Sequence, residues 1–402
     1  MLTGKTVILG VTGGIAAFKS AALASKLVKL GADVHVIMTE NAVNFINPIT
    51  FETLTGNKCI TNTFDRNFRH NVEHVALAKK ADLFIIAPAT ANTIAKLAYG
   101  LADNMLTTTF LACKCPRMVS PAMNTEMFNN PITKENMERL DDLGITVIPP
   151  AEGYLACGDT GTGKMPEPDV LIEYIEREIG RKKDLQGIKI LLTAGATREA
   201  MDPVRFITNH STGKMGCAIA REAMLRGAQV VMVKANTTVE PPRFIHVESV
   251  VSSGEMFEKC KKYAKQADVI IKSAAVSDYR PADVSTEKVK KKDGDLSIQM
   301  ERTVDILKYL GENKLPEQVI CGFSMETENL VENSRKKLVN KHADLIVANN
   351  LKVDGAGFGT DTNIVTLIGE SSDRECELMS KEQVAGVILD EVLKIYKEKR
   401  CR

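Results

Sequence analysis

The stretch KTVILGVTGG (5–14) constrains the fold more than any other part of the sequence. A short apolar run leads into paired glycines and then into residues with helical periodicity, 15–30, ending at Gly31, a C-cap residue. Such a run reads as a strand buried in a parallel sheet. VHVIM (34–38), LFIIA (83–87), RMVS (117–120) and ITVI (145–148) repeat it, separated by helical segments near 47–55, 72–80, 92–99, 103–113 and 133–142. A glycine-rich loop (152–165), a helix (169–179) and a polar linker, GRKKDLQG (180–187), follow. The pattern then restarts at IKILLTAG (188–195), which mirrors the opening stretch.

In the second half, strands near 188–193, 229–233, 268–272, 318–322 and 344–348 alternate with helices near 214–226, 252–266, 327–342 and 380–396. A hairpin is expected at 284–300 around Asp293-Gly294. The fold class is α/β, with two doubly wound Rossmann-like domains over residues 1–189 and 190–402. Ligands in such sheets sit at the carboxyl ends of the strands, so the loops there are where the chemistry is sought.

Composition excludes several classes. A net charge of +1 over 402 residues leaves no basic footprint for nucleic acid. No apolar run is long enough to span a bilayer. Nine cysteines without a regular framework point to a reducing compartment, the cytoplasm. Residues 6–18 after Lys5 imitate a signal peptide, but Gly13 and Gly14 make strand and turn the better reading.

Several loops carry polar or small residues with two readings each. GVTGGIAAFK (10–19) is a tight turn or a phosphate site at a helix start; the G-x-G-x-x-G fingerprint is absent. In PATANT (88–93), Thr90 or Asn92 caps a helix, or the small residues admit a flat, phosphorylated ligand. Asn124 in PAMN (121–124) caps a helix or aims its amide at a carboxylate. His70 and His74 stand four apart, as in a metal pair, but no third ligand is near, and Cys113-x-Cys115 has the wrong spacing for a zinc knuckle. GDTGTGKM (158–165) imitates a phosphate loop, yet Met165 replaces the metal-binding hydroxyl and Pro166 and Pro168 push the next helix later. It is read instead as a flexible flap carrying Cys157.

In the second half, Asn209, Ser211, Thr212 and Gly213 cluster before the helix at 214, where Ser211 or Thr212 caps or an anion binds. Asp278 in AAVSDYRP (274–281) is a turn aspartate or a reader of a nucleotide. KVKKKDG (288–294) is a solvated charge run when taken alone, and Lys337 and Lys341 share one helix face.

Taken together, GVTGGIAAFK, VEHVAL with His74, PATANT with PAMN, and LACGDTGTGKM resemble the flavin-dependent cysteine decarboxylases over residues 1–180. The match is to the decarboxylase half of the bifunctional bacterial coenzyme A biosynthesis family, and residues 188–396 resemble the phosphopantothenate–cysteine ligase half. The resemblance implies FMN held by Thr12, Gly13, Gly14, Ile15, Thr39, Pro88, Ala89, Thr90, Ala91 and Asn92. It implies His74 as the acid–base residue, Asn124 on the substrate carboxylate and Cys157 as proton donor.

For the ligase it implies CTP and Mg2+, with Asn209 in the acyl-cytidylate step and Lys288 as a mobile lysine over the site. Asn209, Ser211 and Thr212 would meet phosphopantothenate. Ser273, Ala274, Ala275, Asp278, Lys288, Val304, Asp305, Ile306, Phe323, Lys337 and Lys341 would meet CTP. One departure stands out: Thr303-Val304-Asp305-Ile306 replaces the family's Asn-Pro-Asp-Ile. The implied partners are 4′-phosphopantothenate, cysteine and CTP, with further copies of the chain in trimeric decarboxylase and dimeric ligase units. Two other readings are a nicotinamide-dependent oxidoreductase, which requires the missing G-x-G-x-x-G, and an FMN electron carrier fused to a nucleotide sensor. The latter leaves His74, Asn124, Cys157 and Lys288 without a role.

Overall fold

The computed structural model describes residues 1–63, 73–154, 158, 160–290, 296–326, 328–350, 357, 359–370 and 372–401. The chain divides into two compact units, Met1–Arg181 and Lys182–Arg402.

In the first unit, β1 (Thr6–Val11), β2 (Asp33–Met38), β3 (Leu83–Ala89), β4 (Arg117–Pro121) and β5 (Thr146–Val147) form one parallel sheet, ordered β2-β1-β3-β4-β5. Every residue of β1 and β3 is buried, which is why these runs show no polar alternation. The helices are α1 (Ala17–Lys29), α2 (Pro48–Thr55), α3 (Glu73–Lys80), α4 (Ala91–Ala98), α5 (Met105–Ala112), α6 (Thr125–Asn129), α7 (Pro131–Asp142) and α8 (Pro168–Ile179). Leu9 enters one core with Leu27 of α1 and Leu171 of α8. Its neighbour Ile8 enters the opposite one, with Leu97 of α4, Phe110 of α5 and Leu140 of α7.

The expected glycine-rich loop differs. It contains an antiparallel hairpin of β6 (Ala151–Tyr154) and β7 (Thr160–Lys164). β7 is TGTGK, with no apolar alternation to reveal a strand, so its signal is steric and tertiary. A Cβ at Gly161 would stand 2.6 Å from Thr125 Oγ1, and one at Gly163 would stand 2.4 Å from the Met123 carbonyl oxygen. These two glycines therefore serve close packing on the Met123–Thr125 loop, in addition to any freedom they give the backbone.

The second unit contains β8 (Lys189–Ala194), β9 (Arg198–Ala200), β10 (Phe206–Thr208), β11 (Gln229–Lys234), β12 (His246–Ser249), β13 (Val269–Lys272), β14 (Tyr279–Pro281), β15 (Met300–Arg302), β16 (Val319–Glu326) and β17 (Leu345–Asn350). β18 (Thr362–Asn363), β19 (Val365–Gly369), β20 (Asp373–Glu375) and β21 (Met379–Ser380) follow. The main sheet runs β12-β11-β8-β13-β16-β17-β19-β20. It is parallel through β17, with β19 and β20 as an antiparallel edge. Its helices are α9 (Lys214–Leu225), α10 (Ser253–Ala264), α11 (Ile306–Glu312), α12 (Leu330–Asn340) and α13 (Lys381–Cys401). One face packs under α9 and α13 through Leu192, Ile219 and Leu389. The other packs under α10, α11 and α12 through Leu191, Met256, Leu307 and Leu338. Leu185 is buried in the first of these cores and Asp184 pairs with Arg226 at 2.7 Å, so the chain joins the second unit's packing before β8 begins.

The expected hairpin at 284–300 is displaced outward. Its strands are β14 and β15, paired from Tyr279↔Arg302 to Pro281↔Met300, outside the expected range. Residues 291–295, including Asp293 and Gly294, lie outside the described set. Among the described residues no helix is long and apolar enough to cross a membrane.

Candidate active sites

Strand order reverses between β1 and β3 in the first unit, and in open sheets of this kind ligands bind at the carboxyl ends of the strands at such a point, as FMN does in flavodoxin. The loops that converge there are braced by hydrogen bonds. Thr12 is buried; its hydroxyl donates to the Pro88 carbonyl at 2.8 Å and accepts from the Thr90 N–H at 3.1 Å. Thr39 N–H donates to the Val11 carbonyl at 3.0 Å. Ala122 N–H donates to the Ala89 carbonyl, also at 3.0 Å, tying the PAMN loop to PATANT. Gly13 has no room for a side chain, since a Cβ would stand 2.5 Å from the Asn41 Cβ.

The residues present fit a flat, phosphorylated group. In front of Gly14 a Cβ would meet only the Thr90 methyl, at 3.8 Å. Ile15 is 61% exposed at the start of the turn. The Ser120 hydroxyl, fully buried at the end of β4, and the buried Thr125 hydroxyl have no hydrogen-bond partner among the described residues. Buried hydroxyls of this kind are costly unless something else satisfies them. Sequence reasoning passed over both; their position on either side of Asn124 was the available signal.

Asn124 and Thr90 have the capping role that one reading gave them. Asn124 Oδ1 accepts the Glu126 N–H at 2.8 Å at the start of α6. Thr90 caps α4 through the Thr93 N–H at 3.4 Å. Ala91 and Asn92 form the first turn of α4. His74, near the start of α3, is half-buried on the side of Leu77 and Ala78, which enter the core. Cys157 and His70 lie outside the described residues. The hairpin next to Cys157 is fixed at its far end: Met123 N–H donates to the Gly163 carbonyl at 3.0 Å. Lys19 of α1, itself buried, donates to the Met165 carbonyl at 2.9 Å and pairs with Glu167 at 2.8 Å.

In the second unit the order reverses between β8 and β13. Thr193 joins the two strand ends: its carbonyl accepts from the Ser273 hydroxyl at 2.6 Å and its hydroxyl accepts from the Ala274 N–H at 3.1 Å. Asn209 Nδ2 donates to the Ala275 carbonyl at 3.2 Å. Neither Ser211 nor Thr212 caps α9; the cap position is Gly213, at φ 77°, with no side-chain bond. Only glycine fits there, because a Cβ would lie 2.4 Å from the Thr237 methyl. The uncapped first turn of α9 therefore suits an anion.

The remaining nucleotide candidates assemble in pairs. Lys337 donates to the Phe323 carbonyl at 2.9 Å, and Lys341 pairs with Asp305. Asp305 also caps α11 through the Lys308 N–H at 2.9 Å, and Ile306 opens that helix and is buried. The Asp278 carbonyl accepts from the Thr303 N–H at 3.0 Å. Val304 is exposed. Lys288 is exposed; its neighbour Val289 is held by Asp202 and Arg205. Sequence reasoning missed Lys272, the one charged residue of VIIK. Burial, and then the nearby Lys337 charge, push its amine down to about 8, against the pull of Asp305 and Asp278. Among the described residues no group of three potential ligands could hold a metal ion.

Residues 1–180 match the family described as Flavoprotein, and residues 185–396 match the DNA/pantothenate metabolism flavoprotein C-terminal domain. The chain is 45% identical over 405 residues to the coenzyme A biosynthesis bifunctional protein CoaBC of Bacillus subtilis (strain 168), covering 99% of each. It is 39% identical over 404 residues to the protein of that name from Escherichia coli (strain K12), covering 100% of each. Among solved structures, a C-terminal domain of CoaBC is 41% identical over 54% of this chain and 100% of that one, with a TM-score of 0.47. A PPC decarboxylase mutant complexed with pantothenoylaminoethenethiol is 35% identical, covering 42% of this chain and 96% of that one, with a TM-score of 0.40.

Proposed function

The chain belongs to the family of bifunctional coenzyme A biosynthesis proteins, and on that premise we propose that its two units catalyse consecutive steps. The second unit joins cysteine to 4′-phosphopantothenate at the expense of CTP. The first removes carbon dioxide from the product to give 4′-phosphopantetheine. The observation that carries this reading is the meeting of the sequence candidates at the two strand-order reversals, Thr12 with Pro88 and Thr90 in one unit and Asn209 with Ala275 in the other.

In the ligase, a carboxylate is a poor acyl donor and needs activation. The phosphopantothenate carboxylate oxygen attacks the α-phosphorus of CTP, and pyrophosphate leaves. The cysteine amine then displaces CMP from the acyl-cytidylate and loses a proton. Asn209 orients the acyl group, and Ser211 and Thr212 hold the pantothenate end at the uncapped start of α9. Lys288 offsets phosphate charge as it develops. Mg2+ travels on the triphosphate, which needs few protein ligands.

In the decarboxylase, Thr12–Ile15, Thr39 and 88–92 would hold FMN. When bound, it supplies a reversible two-electron sink beside the substrate thiol, without which carbon dioxide has nowhere to leave its electrons. Asn124 holds the carboxylate through its amide nitrogen. His74 moves the first proton. Cys157 returns one to the carbon that lost carbon dioxide; an ordinary thiol, with a reference pKa of about 8.5, is still protonated at neutral pH.

Ile15 and Phe18, each 61% exposed beside the turn, support a face shared between copies, in keeping with trimeric decarboxylase units; the ligase units pair as dimers. The eight cysteines among the described residues are free thiols, which supports a cytoplasmic setting.

The test is to incubate the protein with 4′-phosphopantothenate, cysteine, CTP and Mg2+ and follow products by mass. A cysteine adduct should form and then lose carbon dioxide. If neither pyrophosphate nor adduct appears, the ligase reading fails. A colourless protein that takes up no FMN removes the decarboxylase reading.

A further inference from the structure

We propose that Lys272 is a phosphate-binding residue of the ligase, its ammonium meeting the nucleotide that Asp278, Asp305, Phe323, Lys337 and Lys341 surround. This deepens the CTP reading above and rests on it.

Three observations lead there. Lys272 ends β13, immediately before Ser273, at the strand-order reversal of the second sheet. Alternation along β13 sends its side chain to the same face as Ile270, under α10, α11 and α12. Lys272 is half-buried there, and its ammonium makes no hydrogen bond or ion pair among the described residues. A cation partly shielded from solvent, with no protein partner, loses hydration that nothing in the protein replaces.

The charges around Lys272 do not relieve it. From α12, Lys337 adds a like charge. At the start of α11, Asp305 attracts it, but that carboxylate is taken up by Lys341 and the Lys308 N–H. Asp278, on the loop after β13, is exposed. From α10, Cys260 faces it as a thiol that burial pushes up to about 12, so it stays neutral. Two ammonium groups held near each other, one of them unbonded, are complementary to an anion with several oxygens. A triphosphate entering at the end of β13 is such an anion, and it would restore the proton affinity that burial lowers.

The experiment measures binding of CTP, CMP and cytidine to the full-length protein by calorimetry, with Mg2+ and without phosphopantothenate. Lys272→Met should weaken CTP by roughly tenfold or more, the scale of a hydrogen bond to a charged group, and leave cytidine within about twofold. Lys272→Arg should recover part of the loss. Wild-type affinity for CTP should fall between pH 7 and 9 as the amine deprotonates, and Lys272→Met should lose that slope. The wild-type pH profile stands even if a variant does not fold. CTP binding to Lys272→Met within twofold of wild type overturns the proposal, as does an equal loss for cytidine, which would make Lys272 a packing residue. If wild-type protein binds no CTP, the ligase reading itself falls, and the proposal with it.

Discussion

Met123 and Gly163 are locked together: the Met123 N–H donates to the Gly163 carbonyl at 3.0 Å, and a Cβ on Gly163 would stand 2.4 Å from the Met123 carbonyl oxygen. Gly163 also has φ +141°, which L side chains rarely adopt. Gly163→Ala should therefore destabilise the first unit by about 2 kcal/mol or more, from overlap and backbone strain combined. Denaturant unfolding followed in the first unit measures it. Pyrophosphate release by the second unit should be unchanged.

Cys157 and His74 should fail at different points. Cys157→Ser should release carbon dioxide once and then stall, because the carbon left behind lacks its proton. His74→Asn should stop before carbon dioxide appears. Single-turnover mass analysis distinguishes them, and full activity in both variants removes these assignments.

Asp33 predicts the acid limb of stability. Burial pushes its carboxyl up, but hydrogen bonds from Lys80 and Asn57 and the proximity of His35 outweigh this and hold it at about 2, below the ordinary 3.8. A carboxyl with a depressed folded pKa stabilises fully above its unfolded value and loses that contribution as pH falls through the folded one. Wild-type stability should thus decline from pH 4 towards 2, about the window set by these two values, and Asp33→Asn should flatten that part of the curve. The slope should be shallow, because the side chain is 41% exposed and solvent screens it. Thermal melts across that range are the check.

Val304→Pro tests the departure from the family pattern. Val304 is 51% exposed, and its N–H makes no hydrogen bond among the described residues. The bonds that shape this loop belong to its neighbours: Thr303 donates to Ser277 and Asp278, and Asp305 caps α11. Proline should therefore be accepted with less than about 1 kcal/mol change in stability. The KM for CTP should stay within about twofold, where the 1.4 kcal/mol of a tenfold change is the scale for a lost contact. A large rise in KM would show that valine's N–H has a ligand to serve.

The first sheet and five strands of the second were legible in the sequence because buried parallel strands announce themselves as apolar runs, as TVILGV and KILLTA do, whereas β12 and the antiparallel edge strands β19 and β20 were not read. β7 was not legible, since TGTGK carries no hydrophobic signal and is held by contacts with Thr125 and Met123 far away in sequence. The displaced hairpin had the same cause: Asp-Gly indicates a turn but cannot say which distant residues will pair. Capping by Thr90 and Asn124 followed from residue type. Capping by Ser211 or Thr212 did not, because crowding by Thr237 requires glycine at the cap position of α9. Lys272 and the unpaired Ser120 hydroxyl became visible only once burial was known.

Lys19 belongs to the helix that follows the Thr12–Gly14 turn, yet its ammonium is spent on Met165 and Glu167, at the foot of the hairpin. One side chain thus couples two parts of the proposed chemistry that lie some 150 residues apart in sequence. Their order is a shared thermodynamic property. Loosening the cradle loosens the arm, and a ligand that steadies one repays part of the entropy of holding the other.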